Sequence, residues 1–148
     1  MQKITLGLGC FWGPEENFKN KPGIIATEVG YAGGNSPNAT YEEVCTGRTG
    51  HAEVVRLSYD EKEISFKKIL DLFFKMHDPT QKDMQYPDVG TQYRSEIFYE
   101  DDIQKAEAKE ILEIFNKEFN GKIQTNISRL KNYCKAEEYH QKYLEKNR

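Results

Sequence analysis

Apolar and polar positions alternate from the start of the chain. Ile4, Leu6 and Leu8 alternate with Thr5 and Gly7, which predicts a first strand ending in glycines. Over residues 14–21 the spacing becomes helical and amphipathic, and Lys21-Pro22-Gly23 stops it. The β-branched and aromatic run at 24–31 predicts a second strand, followed by turn residues over 32–38. A short helical turn at 41–44 precedes a third alternating strand at 52–59. Ser65 is placed to cap a helix over 66–76, and His77-Asp78-Pro79 closes it. Residues 80–94 have little periodicity, and a loop of that length in a compact domain is usually functional. A fourth strand is predicted at 96–99. Asp101 or Asp102 opens a long helix to about Phe119, which Asn120-Gly121 ends. A short strand at 123–127 and a last helix at 136–144 complete the pattern. The order predicts an α+β fold: a two-layer α/β sandwich with a mixed sheet and a ferredoxin-like core. No repeat or linker interrupts residues 1–148, so a single domain is expected.

Composition narrows the function classes. Of 148 residues, 37% are hydrophobic and 30% charged, as in a soluble globule. No apolar run approaches the ~18 residues of a membrane span, so no membrane role is expected. A formal net charge of −3 gives no basic face for nucleic acid. The N-terminus runs straight into a strand without an apolar signal region, which predicts a cytoplasmic protein. Three cysteines, Cys10, Cys45 and Cys134, are an odd number for a disulfide framework.

The strongest local signal is Gly9-Cys10-Phe11-Trp12-Gly13, at the first strand-to-helix turn. Gly7, Gly9 and Gly13 are spaced one residue too far for a dinucleotide fingerprint, and Phe11 and Trp12 are bulky where a pyrophosphate would approach. A thiol at the start of a helix instead meets open backbone N–H groups, which favour thiolate. Gly9 and Gly13 admit another molecule to the sulfur, and two aromatic faces beside it suit methyl and sulfur groups. Cys10 is therefore read as a nucleophile. His51, His77 and His140 lack metal-ligand spacing and are read as hydrogen-bonding scaffold. His51-Ala52-Glu53 matches the H-x-E of zinc deaminases without the P-C-x-x-C partner. On residue type alone Glu53 is either an acid in the site or a solvated strand residue. Tyr41 and Tyr93 are two of nine tyrosines with no special mark.

Further strings line up with the first. They are Tyr41-Glu42-Glu43-Val44-Cys45-Thr46-Gly47-Arg48-Thr49-Gly50-His51-Ala52-Glu53-Val54-Val55, His77-Asp78-Pro79-Thr80, Asp88-Val89-Gly90-Thr91-Gln92-Tyr93-Arg94-Ser95 and Ala136-Glu137-Glu138-Tyr139-His140-Gln141-Lys142-Tyr143-Leu144. Together they closely resemble the peptide methionine sulfoxide reductase A family, in order, from about Ile4 to Leu144. The resemblance implies reduction of the S epimer of methionine sulfoxide, free or in peptides and proteins. It places the nucleophile on Cys10, the substrate-methyl pocket on Phe11 and Trp12, and the assisting carboxylic acid on Glu53. It places two hydroxyl donors to the sulfoxide oxygen on Tyr41 and Tyr93, and an acidic substrate-binding residue on Asp88. It implies no bound cofactor and an external reductant: thioredoxin, glutaredoxin or glutathione, or dithiothreitol in vitro. A monomer is expected. The competing enzyme class, a thiol peroxidase, gives no reason for the Phe11–Trp12 pair or for an acid at Glu53. A non-enzymatic ferredoxin-like module would need an aromatic or basic sheet face, which the sequence lacks.

The sequence departs from that family in two places. Many members carry a glycine-rich cysteine tail that resolves the oxidised nucleophile, whereas here Leu144 is followed by Glu145-Lys146-Asn147-Arg148. Cys134 becomes the candidate resolving thiol, the alternative being a buried thiol with direct reduction of Cys10 from outside. Cys45 is expected to be a packed thiol. Lys82-Asp83-Met84-Gln85-Tyr86-Pro87 replaces an Asn-Arg-Gln-Gly-like run before Asp88.

Overall fold

Strand order determines which turns share one end of the sheet. The computed structural model describes residues 2–147. Its strands are β1 (Gln2–Leu8), β2 (Ile24–Ala32), β3 (Ala52–Tyr59), β4 (Met84–Gln85), β5 (Asp88–Val89), β6 (Ser95–Tyr99), β7 (Asn126–Arg129) and β8 (Cys134–Lys135). Its α-helices are α1 (Trp12–Lys19), α2 (Tyr41–Cys45), α3 (Phe66–Met76), α4 (Asp102–Glu118) and α5 (Tyr143–Lys146). Six strands form one sheet in the order β7-β6-β1-β3-β2-β8, while β4 and β5 form a separate hairpin. The sheet is mixed: β6 and β7 are parallel and the other pairs antiparallel. The fold is thus α+β, as the pattern predicts.

The alternation read in β1 carries the core. Ile4, Leu6 and Leu8 join Val29, Tyr31, Val55, Leu57 and Ile97 in one buried cluster with Phe18 of α1 and the apolar faces of α3 and α4. In α3, Phe66, Ile69, Leu70, Phe73 and Phe74 recur at helical spacing and are all buried. Ser65 caps this helix by accepting the Lys68 amide at 3.0 Å. Phe74 stacks on Phe115 at 4.8 Å and holds α3 to α4. The opposite face of the sheet is covered more thinly. There Ala32, Ala52, Val54 and Phe98 pack with Leu130 and Tyr133.

Three predicted elements differ. The strand expected at 123–127 forms at Asn126–Arg129, because the Ile123 amide goes to Asn116 Oδ1 and the Gln124 amide to the Pro79 carbonyl. The unpatterned stretch 80–94 contains the β4–β5 hairpin and a 3₁₀ turn at Thr91–Tyr93. The helix expected at 136–144 is instead a 3₁₀ turn at Glu138–His140 followed by α5. Tertiary partners take the hydrogen bonds a helix would need. The Gln141 side chain bonds the amide and carbonyl of Val29, and the Lys142 amide bonds Glu15 Oε1 at 2.6 Å. The segment is a strap laid across β2 and α1, and it reaches the β1–α1 turn.

Candidate active site

Cys10 lies half-buried in the turn between β1 and α1. The helix begins without a side-chain cap, so its first amides are open, and the Trp12 amide meets the Cys10 sulfur. Gly9 sits at φ +97°, and a Cβ there would lie 3.0 Å from the Gln85 side chain. Only glycine lets the β4–β5 hairpin lie this close to Cys10. The expectation that the helix start makes Cys10 a thiolate is not met. Burial pushes the thiol up to about 11, the Trp12 amide pulls it back in part, and the charges of Glu53 and Asp88 raise it further. At rest Cys10 is a thiol because desolvation outweighs one helix-terminal amide.

Glu53, the second residue of β3, is 1% exposed, which removes the solvated-strand alternative. Its partner across β2 is Tyr31, and its Oε1 accepts the Phe11 amide at 3.3 Å, one residue from Cys10. Burial raises its carboxyl to about 7; the Phe11 N–H opposes the shift and the Asp88 charge adds to it. A carboxyl near half-protonation at neutral pH is suited to moving a proton.

Aromatic rings line this corner. Phe11 is fully covered, with its ring 5.8 Å from Tyr31 and 5.2 Å from His140. Trp12 is half-buried and stacks on Tyr143 at 3.8 Å. Its indole N–H donates to His140 Nδ1 at 3.1 Å. Tyr41 opens α2, its ring 4.6 Å from His140 and its amide on Glu137 Oε2 at 2.9 Å. Tyr93 ends the 3₁₀ turn before β6. Burial raises the Tyr93 hydroxyl to about 12, with Glu53, Cys45, Asp88 and Cys10 adding their charges. Burial likewise raises Tyr41, which also feels Cys45, Glu53 and Tyr93. Both hydroxyls therefore keep their protons at neutral pH. Asp88 pairs with Gln85 in the hairpin, and its charge acts on Cys10, Glu53 and Tyr93. Cys10, Glu53, Tyr41, Tyr93 and Asp88, spread along residues 10–93, thus form one electrostatic neighbourhood, with Phe11 and Trp12 beside it.

Cys134 stands apart from that group. It pairs with Tyr31 at the edge of the sheet, and its thiol donates to the Pro37 carbonyl at 2.9 Å. Cys45 is exposed rather than packed: in the short α2, Val44 is buried and Tyr41 packs against the core, while Cys45 is left at the surface. The histidines are hydrogen-bonded scaffold as read: His51 on the Ser36 and Asn132 carbonyls, His77 between the Phe73 carbonyl and Ser95 Oγ. Among the described residues no cluster of His, Cys, Asp and Glu is arranged to hold a metal. Sequence reasoning missed Glu137 and Tyr143. Glu137 joins the Tyr31 hydroxyl to the Tyr41 amide, and Tyr143 supports the indole. Both lie in a string that the resemblance singled out, yet a helical reading of 136–144 hid which residues turn inward.

Comparison with known proteins gives a consistent result. A family model described as peptide methionine sulfoxide reductase matches residues 2–148. Peptide methionine sulfoxide reductase MsrA of Pelagibacter ubique (strain HTCC1062) is 58% identical over 146 residues, covering 99% of each chain. The crystal structure of reduced Mxr1 from Saccharomyces cerevisiae superposes with a TM-score of 0.92 at 42% identity, covering 99% of this chain and 85% of that one. Mxr1 in complex with Trx2 superposes at 0.68 and 30% identity, covering 96% and 84%.

Proposed function

The chain belongs to the peptide methionine sulfoxide reductase family, and from that we infer that it reduces the S epimer of methionine sulfoxide, free or in peptides and proteins, with Cys10 as nucleophile. The observation that carries the assignment of roles is the buried Glu53 carboxyl, raised to about 7, on the amide next to Cys10.

The reaction needs a thiolate on the sulfoxide sulfur and a proton on its oxygen. Cys10 at about 11 and Glu53 at about 7 share one proton across the intervening pH range, held on the sulfur. Passing that proton to Glu53 creates both required groups at once. The thiolate attacks the sulfoxide sulfur, Glu53 returns the proton to the oxygen, and the oxygen ends on Cys10 as a sulfenic acid while methionine leaves. Cys10 sulfur is oxidised by two electrons and the substrate sulfur reduced by two. Tyr41 and Tyr93 donate hydrogen bonds to the oxygen as charge builds on it. Phe11 and Trp12 form the apolar wall for the methyl group, and Asp88 holds the polar part of the substrate.

Two thiols then restore Cys10, releasing water and leaving a disulfide. We assign at least one of them to thioredoxin or a related external thiol, consistent with the yeast relative crystallised with Trx2, with Cys134 the candidate for the other. Every group the oxygen-transfer step asks of the protein is a side chain of this chain, which we take as one catalytic domain over residues 1–148, working as a monomer without a bound cofactor. No described helix is long and apolar enough to cross a membrane, which suits the cytoplasmic placement we assign. The antiparallel unit β6-β1-β3-β2, with α1 and α3 as its crossovers, supports a ferredoxin-like reading of the core.

The test is incubation with dithiothreitol and racemic methionine sulfoxide. Half of the racemate, the S epimer, is expected to disappear; loss of neither epimer sinks the assignment. Cys134→Ser is expected to leave the first turnover intact and to slow thioredoxin-driven recycling. Undiminished recycling would give the resolving step to the external thiol alone.

A further inference from the structure

We infer that His140 is a positioning residue whose Nδ1 holds the Trp12 indole in place and releases it when the imidazole is protonated. This rests on reading Trp12 as a wall of the methyl pocket. His140 is 2% exposed and belongs to the strap, 128 residues from the indole it holds. The indole nitrogen is donor only, so the bond at 3.1 Å requires Nδ1 to be the accepting nitrogen. The ring proton of the neutral form then sits on Nε2. That atom is buried with no hydrogen-bond partner among the described residues. The opposite tautomer would set an N–H against the indole N–H, so the contact with Trp12 dictates an arrangement that leaves Nε2–H orphaned. A buried donor kept unpaired is explained by what the other nitrogen does.

The surroundings make the imidazole sensitive to acid. The rings of Phe11, Tyr41 and Tyr139 pack around it, and Tyr143 stacks on the Trp12 indole. The facing ionisable groups are Tyr41 of α2, Tyr139 beside it in the turn, and the Glu137 carboxylate. Glu137 is already engaged by the Tyr31 hydroxyl and the Tyr41 amide. Burial lowers the histidine from its ordinary value of 6.5, and Glu137 offsets this only in part. His140 is neutral at neutral pH. Once protonated, both of its nitrogens donate, and the indole loses its acceptor.

Trp12 is the only tryptophan, so its fluorescence reports this contact without substrate. In the wild-type protein the emission is expected to change in a limb below pH 6.5, separate from the Glu53 limb near 7. His140→Phe should abolish the lower limb. It should also raise KM for methionine sulfoxide about three- to tenfold, the range of one neutral hydrogen bond, with kcat moved less. His140→Asn, whose Oδ1 can take the place of Nδ1 but does not titrate, should abolish the limb while keeping KM near wild type. A wild-type titration without the lower limb, or a limb that persists in both variants, overturns the inference. Loss of the limb in His140→Phe at wild-type KM would uphold the hold on Trp12 and overturn the reading of Trp12 as pocket wall.

Discussion

Cys10→Ser is expected to abolish sulfoxide reduction, a fall on the order of 10⁴-fold or more, with the fold unchanged. An alkoxide is far harder to form than a thiolate in a site that already pushes a thiol up to about 11. Oxygen transfer onto serine would also require an O–O bond in place of a sulfenic acid, so no comparable intermediate exists. The hydroxyl can still meet the Trp12 amide, and stability should shift by no more than about 1 kcal/mol. Epimer consumption with dithiothreitol, alongside a thermal melt, checks both halves. Turnover persisting in a well-folded variant would transfer the chemistry to Cys45 or Cys134.

Glu53→Gln carries the second-largest effect. Glutamine can accept the Phe11 amide but cannot relay a proton, so kcat/KM near neutral pH should fall roughly 10²- to 10⁴-fold. The pH profile separates this from a packing defect. The reactive arrangement, thiolate with neutral carboxyl, holds one proton, as does the dominant resting state between about 7 and about 11. Below about 7 a second proton binds. Wild-type kcat/KM should therefore rise with pH to about 7 and then stay level. In Glu53→Gln the break near 7 should vanish and the rate should follow the Cys10 thiol alone, at a value lowered by loss of the Glu53 charge. A profile still breaking near 7 would dismiss Glu53 as the relay.

Stability should respond in the opposite sense. The carboxyl is raised from 4.5 to about 7 on folding, so the folded state binds the extra proton. Stability is fully present below about 4.5 and declines as pH rises through 7, by about 3 kcal/mol in all for this buried group. Glu53→Gln should thus raise the melting temperature at pH 8 relative to wild type and have little such effect at pH 4. A melting difference independent of pH would contradict the burial of a charge at this position.

Much of this was legible before any coordinates. The alternation of Ile4, Leu6 and Leu8, the capped amphipathic run after Ser65 and the glycine-rich turn around Cys10 are local patterns. Local patterns determine which face of a strand or helix turns inward. The five strings also identified the family, and the resemblance implies the roles proposed for Cys10, Glu53, Tyr41, Tyr93, Asp88, Phe11 and Trp12. What they left open was environment. Whether Glu53 pointed inward depended on how β3 pairs with β2, a contact between distant parts of the chain. The protonation of Cys10 is non-local for the same reason. A helix start is visible in sequence, whereas the burial and the two carboxylates that overrule it come from β3 and β5.

The C-terminal strap shows where that boundary lies. Residues 136–144 have helical spacing, yet Gln141 and Lys142 are bound by Val29 and Glu15, more than 100 positions away. Sequence alone determined the family, its reaction class and the main apolar faces, and it pointed to Cys10, because each rests on residue type and short-range order. Tertiary structure alone decided the protonation of Cys10 and Glu53, the exposure of Cys45 and the grip of His140 on Trp12. Those properties are set by desolvation and by partners that only the folded chain brings together.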